Sequence, residues 1–475
     1  MAHQTPSSTT SDSLSIYILT YNCARTLVDP ATFAPYLFHA LPPSSDSPEL
    51  LVLCLQELAP ISYAFLGGSF LTPFFKAFRE VVRLASKDDR HSYVNVVSRN
   101  LGMTAIMVFL RDDVVDNLKW VSTAGVGVGV GEIGNKGAVG VRLGYRVRRD
   151  DQVGDDGEAN GESEEVEFTI VSAHLAPMED GVERRNEDYK NIMQRLVFLP
   201  DQKVKAPLSR GEEGEDAPLL QGEVYSQGHE NETVAGESGM YSTSSSSSSS
   251  SYFFFAGDLN YRTSLLRPSP QDVEDKFPQA TPNRDEPIYF QDLLAEDQLT
   301  QQVKAGRTLH GLTEAPITFP PTYKYDTDGS KAVLLVNEED RQHWSWARHR
   351  WPSWCDRIFF SNTSQRGDVK VTPLRYTCLP LFATSDHRPV ALAASVPLKG
   401  PGSNAGQAQG ERGPTTAPFG IDPEWRSKRV QARRKELAVG IMAYLALTWE
   451  GNGLLLATTI GVVGGWWIIR SLLMV

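Results

Sequence analysis

The chain has 475 residues, of which 41% are hydrophobic and 22% charged. This excludes collagen-like and wholly disordered classes and allows two or three domains, or one large α/β unit. Lys and Arg number 46 against 58 Asp and Glu; the net charge of −12 argues against a surface built throughout for polyanions but leaves room for a local basic pocket. The four cysteines, Cys23, Cys54, Cys355 and Cys378, form no CxxC and none is followed six places on by Arg. They read as structural thiols of a reducing compartment and exclude a cysteine phosphatase built on Cys-x5-Arg.

The N-terminus is rich in Ser and Thr, with no basic start and no apolar core before Leu14. No signal peptide is expected, so the chain should fold in the cytosol. Strand-like apolar runs come next at Ile16 to Leu19, Leu50 to Leu55 and Ala105 to Leu110. Gly129-Val-Gly131-Glu-Ile-Gly134 then matches the dinucleotide pattern GxGxxG. It leads, however, into Asn135-Lys136-Gly137 and the alternation Val139, Val141, Leu143, which predicts a strand where that fold needs a helix. A glycine-rich loop offering Lys136 to a phosphate suits the segment better. The run Ala138 to Leu143 is succeeded by a dense acidic stretch, Arg149 to Glu167, read as a solvated loop, and by a strand at Phe168 to Ala173. Val182 to Leu196, with Ile192, Met193 and Leu196 on one side, predicts an amphipathic helix. Pro207 to Ser251 is rich in Gly and Glu and ends in eight serines, Ser244 to Ser251, a composition expected to stay disordered. Strands are predicted again at Tyr252 to Ala256, Ile358 to Phe360 and Val390 to Val396. The glycosylation sequons at Asn231 and Asn362 are chance matches in a cytosolic chain. Strands interspersed with helices predict an α/β or α+β body over residues 12–398.

Residues 399–425 are rich in Gly, Pro, Ser and Gln and read as a flexible linker; 426–436 carry Arg426, Lys428, Arg429, Arg433, Arg434 and Lys435 as a basic juxtamembrane segment. From 437 to 475 the chain is a hydrophobic membrane anchor, with nineteen uncharged residues from Gly451 to Ile469 as the span and Arg470 beside Trp466 and Trp467 at the far interface. By the positive-inside rule the body stays in the cytosol. A hairpin anchor using Leu437 to Trp449, or a buried C-terminal helix, are the other readings of the same stretch. A short span with basic flanks fits the endoplasmic reticulum, with the mitochondrial outer membrane as the second possibility.

The predicted strands repeatedly end in a residue able to bind metal or phosphate: Asn22, Gln56 with Glu57, His174, and Asp258 with Asn260, while Asp386 and His387 directly precede the strand near Val390. Five such ends in one sheet domain predict one site gathered on one edge. Glu57, Asn22 and Asp386 offer hard oxygen ligands suited to Mg²⁺. The chain contains no HExxH and no clustered Cys/His set that would suit zinc. His387 carries a proton near neutrality, and Asp356 in Trp354-Cys-Asp-Arg357 is a carboxylate partner for it. These parts fit hydrolysis of a phosphate ester.

GDLNYR (Gly257 to Arg262) and SDHRPV (Ser385 to Val390) resemble the endonuclease/exonuclease/phosphatase superfamily. GNKGAV (Gly134 to Val139), HLAP (His174 to Pro177) with ERRNEDY (Glu183 to Tyr189), FPPTYKYD (Phe319 to Asp326) and PSWCDRI (Pro352 to Ile358) narrow the resemblance to inositol polyphosphate 5-phosphatases. That resemblance implies a four-layer sandwich of two packed β-sheets flanked by helices, here with a C-terminal transmembrane helix. It also implies Mg²⁺-dependent removal of the 5-phosphate from inositol lipids or soluble inositol phosphates, phosphatidylinositol 4,5-bisphosphate foremost. Glu57 would hold the metal with Asn22 and Asp386. Asp258 would orient or deprotonate the attacking water, with Asn260 fixing it, and Asp356 would brace His387. His174 and His387 would donate to phosphate oxygens. Lys136, Arg185, Asn186, Tyr323 and Lys324 would grip a neighbouring ring phosphate. A phosphoinositide and a membrane are the expected partners, and nucleic acid is not. The alternatives are a nuclease or sphingomyelinase-like esterase of the same superfamily, and a scaffold that binds phosphoinositide without hydrolysing it.

Overall fold

The computed structural model of the chain describes residues 12–147, 164–199, 204–205, 220–223, 237–241, 251–279, 290–327, 344–361, 370–398 and 417–473. Most of the acidic run, most of the Ser-rich insert, the linker as far as residue 416 and both sequons lie outside the described residues.

In chain order the elements are β1 (Ser13–Asn22), α1 (Pro30–Phe33), β2 (Leu50–Gln56), α2 (Ile61–Leu66), α3 (Thr72–Ala85), β3 (Tyr93–Leu101), β4 (Thr104–Arg111), β5 (Leu118–Gly127), β6 (Gly137–Val147), β7 (Glu164–His174), α4 (Val182–Arg195), β8 (Val204–Lys205), β9 (Leu220–Glu223) and β10 (Ser251–Asp258). They continue with α5 (Pro270–Asp275), α6 (Gln291–Ala295), α7 (Gln298–Lys304), β11 (Leu312–Glu314), β12 (Asp356–Ser361), β13 (Thr372–Cys378), β14 (Val390–Pro397), α8 (Trp425–Leu447) and α9 (Trp449–Leu473). The strands form two seven-stranded sheets, ordered β13-β14-β1-β2-β4-β3-β9 and β11-β12-β10-β7-β6-β5-β8.

The period-two alternation of side chains along a strand builds the layers. Leu14, Ile16 and Ile18 of β1 and Leu50, Val52 and Cys54 of β2 meet Phe168 and Ile170 of β7, Phe254 of β10 and Ile358 of β12 in one core between the sheets. The intervening Tyr17, Leu19, Tyr21, Leu51, Leu53 and Leu55 turn outward onto Phe33 of α1 and Phe74, Phe78 and Val82 of α3. On the far side, Val171, Phe253 and Phe255 are covered by Tyr189, Ile192 and Met193 of α4. Strands buried on both faces need apolar residues at nearly every position, so their sequences read as continuous runs. The result is the expected four-layer sandwich. The glycine-rich segment leads from β5 into β6, a strand, and the four cysteines are buried and form no disulfide.

The C-terminal region departs from its compositional reading. The end of the expected linker is bound to the body: the Asp422 amide donates to the Gln194 carbonyl at 2.9 Å, Asp422 pairs with Arg195 at 3.1 Å, and Trp425 is buried. The first part of the expected anchor belongs to α8, which lies on α2. Gly440 rests against Phe65, Val439 joins the outer core, and the Tyr444 ring stands 5.5 Å from that of Phe70. Composition hides such docking because the partner residues are hundreds of positions away in sequence. Beyond Thr448 the chain re-enters a helix, α9, whose apolar stretch is bare. Among the described residues it is the one helix long and apolar enough to cross a membrane, by length and composition.

Candidate active site

Strand directions bring the polar ends together. β1 runs parallel to β2, pairing Asn22 with Gln56, and β10 runs parallel to β7, pairing Asp258 with His174. Against these run antiparallel neighbours: β12 starts at Asp356 opposite Asp258, β6 starts at Gly137 opposite His174, and β14 starts at Val390 opposite Thr20. The last residues of four strands and the first of three therefore share one edge of the sandwich. Lys136 directly precedes β6, and Asp386 and His387 stand just before β14.

Asp258 is the centre. Its Oδ2 accepts from Asn22 Nδ2 at 2.8 Å, a bond that joins the two sheets, and its Oδ1 accepts from the Asn260 amide at 3.1 Å. His174 Nε2 lies 3.2 Å from Oδ2 and His387 Nε2 3.8 Å from it. Burial alone would raise the Asp258 pKa. The charge of His387, the hydrogen bond with His174 and the charge of Lys136 override it and hold the carboxyl well below the usual carboxylate range. His387 Nδ1 pairs with Asp356 Oδ2 at 2.8 Å, and the Thr322 hydroxyl donates to the same oxygen at 2.7 Å. Burial disfavours the imidazolium, but Asp356 and then Asp258 outweigh it and raise the His387 pKa to about 9. His387 is thus charged at neutral pH, with Nε2 directed at Asp258. His174 is the opposite case: burial and then Lys136, whose Nζ is 2.6 Å from Nε2, push its pKa down. The two histidines therefore differ in charge although both face the same carboxylate.

Around this buried centre stands a more open rim. Glu57, at a left-handed backbone position (φ +46°), carries its carboxylate between Lys136 Nζ at 3.6 Å and Arg25 Nε at 3.1 Å. Lys324 Nζ donates to Asp386 Oδ2 at 2.5 Å. Tyr323 packs on the His387 ring with centroids 4.6 Å apart. Burial would raise the Asp386 pKa, but the charge of His387 and then Lys324 outweigh it and hold it below its ordinary value. The oxygen donors Glu57, Asn22 and Asp386 suit a hard divalent cation. Both carboxylates are already answered by lysine ammonium groups that a cation can replace.

Two expected phosphate contacts are placed elsewhere by the geometry, and a third residue acts through its backbone. Arg185 is wholly buried and donates to the Ala176 and Met178 carbonyls at 3.2 and 2.7 Å and to Gln298 at 2.7 Å, so it braces the turn before α4. Asn186 is engaged by Gln302 and by the Tyr261 hydroxyl. The reason is the helix period: positions 185, 188 and 189 lie on the inward face of α4. Asn260 does hold Asp258, but by its backbone amide, while its side chain donates to the Leu175 carbonyl and accepts from Arg262.

Arg262 itself was not singled out from the sequence. It is buried, stacks 4.2 Å over the Tyr323 ring, and two of its nitrogens, Nε and Nη1, have no hydrogen-bond partner among the described residues. Its place in GDLNYR, four residues after Asp258, was the available signal. Ser385 was missed as well; its hydroxyl donates to the Asn22 carbonyl at 2.6 Å and accepts from the His387 amide at 3.1 Å, locking the turn before β14 to the end of β1.

Residues 19–393 match the family described as Endonuclease/Exonuclease/phosphatase family 2. The chain is 27% identical over 365 residues to the type II inositol 1,4,5-trisphosphate 5-phosphatase of Mus musculus, covering 75% of this chain and 27% of the mouse protein. It is 27% identical over 312 residues to the type I inositol polyphosphate 5-phosphatase 13 of Arabidopsis thaliana, covering 64% and 23% of the two chains. The match thus spans about a quarter of the length of these curated relatives. In fold, the chain is similar to the inositol polyphosphate 5-phosphatase domain of a synaptojanin, solved with inositol (1,4)-bisphosphate and a calcium ion. The TM-score is 0.52 at 22% identity, with 81% of this chain and 84% of that one covered.

Proposed function

Because this chain belongs to the endonuclease/exonuclease/phosphatase family, we propose that it is a phosphoric monoester hydrolase that removes the 5-phosphate of phosphorylated inositols, with phosphatidylinositol 4,5-bisphosphate as its substrate and Mg²⁺ as its metal. The observation that carries this reading is an ionised, buried Asp258 held by Asn22 and the Asn260 amide, with a charged His387 and a neutral His174 on either side.

The ionised Asp258 orients a water and takes its proton as the water oxygen attacks phosphorus; the bond from phosphorus to the inositol 5-oxygen breaks, and that oxygen leaves as a hydroxyl after taking a proton from solvent. The His387 Nε2–H donates to a phosphate oxygen as negative charge builds there, and Asp356 keeps that imidazole protonated and aimed. Lys136 adds a positive charge beside His174, and Lys324 with Tyr323 stands where a neighbouring ring phosphate would bind, replacing Asp386 as partner. Glu57, Asn22 and Asp386 would hold the Mg²⁺, which when bound polarises phosphate oxygens. Arg262, with donors left over against the Tyr323 ring, is a further buried cation beside this residue.

The membrane context belongs to the same proposal: α9 spans the bilayer and confines the body to the cytosolic face of the endoplasmic reticulum, where lipid headgroups are concentrated.

The test is phosphate release by the full chain in detergent micelles, from short-chain phosphoinositides and soluble inositol phosphates over a Mg²⁺ titration. Release confined to 5-phosphorylated compounds, lost on chelation and lost in Asp258→Ala, is the expected result. Release from compounds without a 5-phosphate, or nicking of DNA in its place, would refute the reading.

A further inference from the structure

Near the border between the basic and apolar parts of the C-terminal region stands a single acid, Glu436, on α8 and buried. A buried carboxylate is costly unless it is bonded. Its Oε1 accepts from the backbone amide of Gly134 at 2.8 Å, and its Oε2 is 3.5 Å from Arg433, which in turn donates to the Phe65 carbonyl at 2.6 Å. Gly134 lies two residues before Lys136 in the loop between β5 and β6. A second α8 residue reaches the same loop, Lys435 Nζ donating to the Gly131 carbonyl at 3.2 Å. Arg195 ties the loop from the other side, pairing with Glu132 at 2.7 Å and with Asp422 at 3.1 Å.

The bond to Gly134 is the outer end of a relay into the site. The Gly134 carbonyl accepts from the Met103 amide at 2.9 Å, and the Met103 carbonyl accepts from the Leu58 amide at 3.1 Å, directly after Glu57. The relay is close: Gly102 has φ +50°, and a Cβ there would run into the Gly134 carbonyl, so this approach of the two backbones requires glycine. One carboxylate on the C-terminal helix therefore terminates a chain of bonds that starts two residues before Lys136 and ends at the residue after Glu57, and the charges of those two residues meet in the site at 3.6 Å.

We propose that Glu436 is a positioning residue for the reaction: by fixing the Gly134 amide it sets the Lys136 loop, so the helix that leads to the membrane span is part of the working active site. This rests on the hydrolase reading. Glu436 touches no substrate, and its effect on the chemistry runs through Lys136. A charge-assisted bond to a backbone amide is a strong one, and small misplacements of a catalytic group cost rate heavily.

The experiment uses the full chain in detergent micelles and myo-inositol 1,4,5-trisphosphate, a soluble probe that removes membrane delivery from the result. Glu436→Ala is expected to lower kcat/KM on the order of tenfold. Glu436→Gln, which keeps an acceptor for the Gly134 amide, should recover to within about twofold, and the solvent-facing Gln431→Ala on the same helix should match the parent. In a Lys136→Ala background, Glu436→Ala should have almost no further effect, a non-additivity that general destabilisation would not produce. Equal losses in both backgrounds, or no loss in either, would overturn the proposal. Hydrogen exchange over residues 129–137 gives a readout without turnover. Faster exchange in Glu436→Ala and parent-like exchange in Glu436→Gln are expected, and unchanged exchange in Glu436→Ala would overturn the proposal. If the parent releases no phosphate, the hydrolase reading fails on its own, and the exchange result still decides whether Glu436 holds the loop.

Discussion

The site has two halves that the same sheet edge builds differently. Asp258, Asp356, His174 and His387 are buried and bonded to one another and to backbone, whereas Glu57, Lys136, Asp386 and Lys324 are 15 to 26% exposed and pair as opposite charges. The buried half is already arranged for its chemistry, with charge states set by neighbouring buried groups. The open half consists of ion pairs that a phosphate and a cation can exchange into. Preorganisation therefore sits where charge develops, and adaptability sits where ligands arrive.

The largest effect in this comparison belongs to Asp258. Asp258→Ala removes the group that orients the water and should lower kcat about 10⁴-fold with little change in KM, measured by steady-state phosphate release. His387→Ala should cost about 10³-fold in kcat through the lost donor. Asp356→Asn tests the pair by its pH profile. His387 binds its proton more tightly folded than unfolded, so parent activity should hold through neutrality and fall as pH rises through about 9. In Asp356→Asn that fall should move toward the ordinary value of 6.5. The same sign applies to stability: the pair's contribution is full below about 6.5 and lost as pH rises through about 9, which denaturant titrations at several pH values would detect. In the open half, Lys324→Ala should raise KM about tenfold for a substrate with a neighbouring ring phosphate and leave kcat nearly unchanged. The smallest effect on turnover is expected from Arg185→Ala, which should leave kcat/KM of the folded protein within about threefold but lower stability by about 3 kcal/mol, because buried carbonyls lose their donors.

The contrast between the halves also marks what was legible in the sequence. Asn22, Glu57, His174, Asp258 and His387 could be read because each interrupts an apolar strand at its end, and strand periodicity fixes where ends lie. Arg185 and Asn186 could not be assigned correctly, since a helical period tells which residues share a face but not whether a guanidinium turns to substrate or to a carbonyl. Arg262 lay inside a motif that was read for its acid and amide. Glu436 was counted with a basic segment; its bond to Gly134 links positions 302 apart, and no local pattern announces such a contact. The α8 helix shows the same limit at larger scale: its uncharged C-terminal half looks like membrane anchor, yet Gly440 and Tyr444 rest on the body while α9 is bare.

The most direct test of the central claim is hydrolysis of short-chain phosphatidylinositol 4,5-bisphosphate by the full chain in ¹⁸O-water, with the products analysed by mass and by position. Water orientation by Asp258 at phosphorus predicts one ¹⁸O in each released phosphate, none in the inositol ring, and phosphatidylinositol 4-phosphate as the single lipid product. Label in the inositol hydroxyl, or loss of the 4-phosphate, would contradict the account.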